Sequence, residues 1–67
     1  MNITVNRKIH DFEGDSKTLM SVLEDCDLPL KGIAVALNNK VVPKEQWSAR
    51  EVKDGDNITV IQAVCGG

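Results

Sequence analysis

An α+β fold, with one helix laid across one face of a mixed sheet of about five strands, is predicted by three features of this sequence. Apolar and polar residues alternate near the start, the middle and the end of the chain. One stretch between them instead carries apolar residues at helical spacing. The chain has only 67 residues, and a domain near this size buries only about 60% of the surface its unfolded form exposes. These elements must therefore share one small core.

The first strand is read over Met1 to Asn6, where Ile3 and Val5 alternate with Asn2, Thr4 and Asn6, the period of a strand with one wet face. Arg7-Lys8 is read as a turn, followed by a weaker strand over Ile9 to Phe12 and a break at Glu13-Gly14-Asp15. This opening makes a hairpin. Leu19, Val22, Leu23 and Cys26 then fall at i, i+3, i+4 and i+7, one side of an α-helix, with Ser16 or Thr18 as its N-cap and Leu28-Pro29 as its stop. Ile33 to Leu37 alternates again, and Asn38-Asn39 tolerates the positive φ of a hairpin turn before Val41-Val42.

Pro43 stops that strand and starts a helical turn through Trp47, which is expected to plug the edge of the core. Lys53-Asp54-Gly55-Asp56 reads as a turn, and Asn57 to Val64 is the longest β-type run, leading directly into Cys65-Gly66-Gly67. The order is β-β-α-β-β-turn-β-tail. The long apolar last strand is best placed centrally, beside the first, which gives the β-grasp arrangement. Residues 1–64 make one domain and residues 65–67 a tail, expected to be mobile when free because its two glycines have much backbone entropy to lose.

Composition narrows the function. A net charge of −2 without a basic stripe, and one Trp and one Phe for base stacking, argue against nucleic acid. No apolar run approaches the ~20 residues of a membrane span, and the opening alternates where a secretory signal would be continuously apolar. The expected setting is the cytoplasm, with no membrane partner. A pocket of roughly 300–1,000 Å³ would consume much of so small a core. A carrier or binding module that is a monomer when free, with no catalytic residues, fits better than an enzyme.

The candidate chemistry outside the tail is sparse. Cys26 and Cys65 suit neither a zinc site nor a redox pair, and Cys26 is read as a core thiol. Asp25-Cys26-Asp27 and Asp54-Gly55-Asp56 offer too few ligands for a metal and read as a helix end and a turn. His10 has neither nucleophile nor metal-ligand companions and reads as a strand or surface residue. With Ile33, Val35, Leu37, Ile58 and Val60 facing the helix, Ala34, Ala36, Thr59, Ile61 and Ala63 form a small, mildly apolar outer face on which a partner can rest.

The tail is more informative. With glycine at roughly 7% of residues, a Gly-Gly terminus arises by chance in roughly one chain in two hundred. Gly66-Gly67 lacks Cβ atoms, so it can thread a narrow channel and present a carboxylate to chemistry elsewhere.

Val42-Pro43-Lys44-Glu45-Gln46-Trp47, Lys53-Asp54-Gly55-Asp56 and a strand running into Gly66-Gly67 resemble the ThiS family of thiamin-biosynthesis sulfur carriers. Ala36-Leu37-Asn38-Asn39 and the helix around Thr18 to Leu23 fit as well, so the resemblance covers nearly the whole chain. It implies that a ThiF-type adenylating enzyme, using ATP and Mg²⁺ that this chain does not itself bind, activates the Gly67 carboxylate. A persulfide donor such as a cysteine desulfurase then supplies sulfur, leaving a thiocarboxylate on Gly67 that thiazole synthase consumes. Cys65 stands where the family often has a small residue; a tolerated compact side chain is the plainer reading and sulfur exchange the sharper one. A Gly-Gly end also fits the molybdopterin-synthase small subunit or a ubiquitin-like modifier joined to lysines through Gly67; a plain interaction domain is a third reading, supported only if deletion of Gly66 and Gly67 leaves function intact.

Overall fold

The computed structural model describes residues 1–28 and 30–62. The described residues form strands β1 (Asn2–Val5), β2 (Lys8–Asp11) and β3 (Ser16–Thr18), helix α1 (Leu19–Asp25), strands β4 (Ile33–Leu37) and β5 (Lys40–Val41), a 3₁₀ turn (Lys44–Gln46), and strands β6 (Glu51–Lys53) and β7 (Asn57–Gln62). The main sheet has the order β2-β1-β7-β4-β5. Its last strand lies centrally, parallel to β1 and antiparallel to β4, as the sequence predicts. Pro29, the remainder of the predicted last strand at Ala63 and Val64, and the tail at Cys65, Gly66 and Gly67 lie outside the described residues.

Both edge hairpins close through two-residue turns. Asn38 and Asn39 have φ of 51° and 71°, and Leu37 pairs with Lys40. This is the primed turn whose twist matches that of flanking strands. The first hairpin uses the same device one residue earlier than predicted. Asn6 and Arg7 take φ of 49° and 72°, Val5 pairs with Lys8, and β2 starts at Lys8. Asparagine tolerates the left-handed region, so Asn6 is the residue that locates this turn.

Thr18, not Ser16, caps α1, its Oγ1 accepting from the Ser21 N–H at 3.2 Å. Two further amide groups of the first turn donate to loop carbonyls, Leu19 N–H to Arg50 (2.8 Å) and Met20 N–H to Trp47 (3.0 Å), so the helix start is fastened to the rest of the fold. The helix ends before the predicted Leu28-Pro29 stop. Asp27 takes φ of 57°, and the N–H groups of Asp27 and Leu28 donate to the carbonyls of Glu24 and Leu23 at 3.1 and 3.3 Å. This is a Schellman closure with aspartate in the place usually held by glycine. Cys26 is consequently the C-cap, half-buried and packed at the margin of the core, where the sequence reading placed it inside.

Leu19, Val22 and Leu23 from the helix meet Ile3, Val5, Val35, Leu37, Val42, Trp47, Val52 and Ile58 in the core. Trp47 is 1% exposed, and its indole N–H donates to the Val42 carbonyl at 2.9 Å, so the ring is both packed and satisfied. The antiparallel pair of β3 and β6 is absent from the sequence reading. Each strand has three residues, and only Val52 of the six is apolar, too little alternation to register.

Candidate functional site

Strand alternation divides the main sheet into a helix-covered face and an open one. Ala34 lies opposite Ile61 and Ala36 opposite Thr59 in the β4–β7 ladder; Ala36 also lies opposite Val41, and Thr4 opposite Ile9. These residues share the open face because their neighbours Ile3, Val5, Val35, Leu37 and Ile58 are buried in the core. Ala34 is exposed, while Ala36 and Thr59 are half-buried in the sheet surface. Ala63, the remaining predicted member of this face, lies outside the described residues.

Among the described residues the exposed large hydrophobics Ile9, Val41 and Ile61 are 73%, 75% and 59% exposed, and all three stand on this same face. They run from one edge strand across the centre to the other, with alanines and threonines between them. Ile9 and Val41 escaped the sequence reading. The pairing of Ile9 with Thr4 follows only when the first turn is placed at Asn6-Arg7, and Val41-Val42 does not itself reveal which valine faces outward.

A hollow of about 380 Å³ opens between Asn6, Arg7, Asn57 and Thr59. A second hollow of about 490 Å³ is lined by Leu37, Asn38, Ala49, Arg50, Glu51, Lys53 and Asp56. The latter lies where the chain enters β7, about 20 Å along the strand from Gln62. It is remote from the end that leads to the glycines.

The acidic motifs serve the fold. Asp54 Oδ1 accepts from the Asn2 N–H at 2.6 Å, and Asp56 accepts from the Lys53 N–H at 2.8 Å and from the Asn38 amide at 3.1 Å. Asn38 Oδ1 in turn accepts from the Asn57 N–H at 2.9 Å, so the β4–β5 turn and the turn before β7 are laced together. Asp25 pairs with Lys17, and no cluster of three or more potential metal ligands occurs among the described residues. His10 is half-buried on β2 and stacks on Phe12 with ring centroids 6.1 Å apart, in keeping with a strand residue.

Burial pushes the Cys26 thiol upward, and the Asp25 carboxylate adds to the effect, with Lys17 opposing it. The thiolate is therefore scarce at neutral pH. Iodoacetamide at pH 7 is expected to label the Cys26 peptide more slowly than free cysteine, as followed by mass spectrometry. Since folding raises this group's pKa, its stabilising contribution is present below the ordinary thiol range and is lost as pH rises through the raised value.

Among the described residues no helix is long and apolar enough to cross a membrane. The model of the ThiS family matches residues 3–67. The curated sulfur carrier protein ThiS of Thermus thermophilus is 38% identical over 65 residues, covering 97% of this chain and 98% of the relative. The Escherichia coli protein of the same name is 41% identical over 51 residues, covering 76% and 77%. A crystal structure of the thiamine biosynthesis protein ThiS from Geobacter metallireducens superposes with a TM-score of 0.86 at 32% identity, over all of both chains. A solution structure of a thiamine biosynthesis protein from that organism gives a TM-score of 0.77, covering all of this chain and 88% of the other. With the β-grasp fold shared and the family match running over residues 3–67, this chain belongs to the ThiS family of small sulfur carrier proteins.

Proposed function

We propose that this protein carries sulfur on Gly67 for assembly of the thiazole ring of thiamin in the cytoplasm. The observation that carries the reading is a family match extending through Gly66-Gly67. The chemistry requires partners. A carboxylate is a poor electrophile, so a ThiF-type enzyme with ATP and Mg²⁺ converts it into an acyl-adenylate, releasing pyrophosphate. A persulfide, supplied by a donor such as a cysteine desulfurase, displaces AMP. A thiol then cleaves the acyl disulfide to leave the thiocarboxylate, a soft nucleophile that thiazole synthase consumes.

The open face supplies the handle for these partners. Ile9, Val41 and Ile61 lie exposed on one surface, and Ile61 lies on β7, which precedes Gly67 by only a few residues in the sequence. A partner gripping that face holds the carrier with its last strand aimed along the contact. Cys65, adjacent to the glycines, fits as a compact neighbour that passes into the partner's channel.

Intact-mass measurement after incubation with the activating enzyme, ATP, Mg²⁺ and a persulfide donor tests the reading. Exchange of one carboxyl oxygen for sulfur is expected to add about 16 Da to the C-terminal peptide. A chain extended beyond Gly67 is expected to gain nothing, because its Gly67 carbonyl is then an amide. Loaded protein offered in parallel to thiazole synthase and molybdopterin synthase is expected to transfer sulfur to the former. Transfer only to the latter, or recovery from cells of Gly67 joined to lysine side chains, would overturn the assignment.

A further inference from the structure

We propose that the Asn6 side chain sets the point at which the last strand parts from β1, leaving it held by β4 alone, and so acts as a positioning residue for the tail. The inference rests on the carrier reading above and extends it to a residue distant in sequence from the glycines.

β1 and β7 run parallel, with Thr4 opposite Asn57 and Val5 opposite Ile58. The ladder continues with Thr4 N–H donating to the Asp56 carbonyl and Asn6 N–H to the Ile58 carbonyl, each at 3.0 Å. In a regular parallel ladder the next bond would run from Val60 N–H to the Asn6 carbonyl. That carbonyl is turned away, because Asn6 has φ of 49° and begins the hairpin turn. Instead, Asn6 Oδ1 accepts from the Val60 N–H at 2.8 Å. The side chain replaces its own backbone, so β1 can leave the sheet while β7 remains fastened for one more step.

Beyond Val60 the described strand is paired through β4, where Ala34 faces Ile61 and Ile33 faces Gln62. Without the Asn6 bond, the segment held on one side only would start at least two residues earlier. The position demands both tolerance of left-handed backbone and a short side-chain acceptor, which Asn and Asp combine. Glycine supplies the backbone geometry alone.

The test compares Asn6→Gly, which retains the turn and lacks the acceptor, with Asn6→Asp, which retains both. Glycine is favoured in this type of turn, and a circular-dichroism melt establishes that each variant folds. In Asn6→Gly the Val60 amide is expected to exchange with solvent about tenfold faster, while Val35 and Val42 amides on the other side of the sheet do not change. The KM for the carrier in adenylation is expected to rise about fivefold, the scale of one net hydrogen bond, with kcat unchanged. Asn6→Asp is expected to restore both readings.

Unchanged Val60 exchange would overturn the clamp. Faster exchange with an unchanged KM, or a fall in kcat alone, would reduce Asn6 to a structural residue. So would failure of the aspartate variant to restore KM despite restored protection. If the wild-type protein itself accepted no adenylate, the carrier reading would fall and this proposal with it. Equal loading of wild type and Asn6→Gly would remove only the proposal.

Discussion

Trp47→Ala is expected to leave the chain largely unfolded at 25 °C. The indole is the largest of the fully buried side chains, and truncating such a ring to alanine costs about 3–5 kcal/mol. The Val42 carbonyl also loses the indole donor, adding about 1 kcal/mol if it stays shut away from water. Globular domains are stable by about 5–15 kcal/mol, and the smallest ones lie at the lower end of that range. The loss is therefore comparable with the whole stability. Far-UV circular dichroism and amide proton dispersion check this without relying on the deleted fluorophore. Trp47→Phe, which keeps much of the packing and drops the N–H, is expected to melt cooperatively at a temperature lowered by roughly 5–15 °C. A Trp47→Ala variant melting within a few degrees of wild type would mean that the ring fills no essential part of the core.

Ile61→Asp is expected to separate folding from partnership. Ile61 is 59% exposed on the open face of the central strand, opposite Ala34, so no core contact is emptied. The change in strand preference is worth about 1 kcal/mol. In a docked complex, by contrast, the carboxylate would be driven against an apolar surface without a counter-charge, at about 2–5 kcal/mol. The rate of Gly67 adenylation at limiting carrier is expected to fall about 100-fold, with Tm lowered by only a few degrees. Glu51→Gln, on the small β3–β6 sheet, is expected to load like wild type. Wild-type loading of Ile61→Asp would show that the partners hold the protein by another surface.

Much of this architecture is legible in the sequence because local and global preferences agree. Asn38-Asn39 is both a pair of left-handed residues and the only break in an alternating run, so its hairpin is read at the correct position. At Asn6-Arg7 the cues diverge: arginine is an unusual occupant of left-handed backbone, and the turn is read one residue late. That shift hides the outward placement of Ile9. The helix stop is misread for a related reason, since aspartate at position 27 performs what glycine normally does while the proline beyond it offers the more familiar signal. The small β3–β6 sheet leaves almost no periodic trace because its strands are held by backbone pairing and by the single buried Val52. The Gly-Gly end is read from residue type and position alone, and the chemistry assigned to it belongs to the proposal above. The Asn6–Val60 bond joins residues 54 apart, a distance over which a single sequence gives no local sign of contact.

The parallel pairing of β1 and β7 has a mechanical side. If a partner draws the tail into a channel, the pull runs along β7, perpendicular in sense to the bonds that tie it to its two neighbours. Those bonds are loaded in shear, several together, where a strand peeled from an edge would surrender them singly. Because β7 lies between β1 and β4, the load passes into both halves of the sheet at once. On the carrier proposal, a tug on the tail thus falls on a strand bonded on both sides, which it is poorly able to unzip.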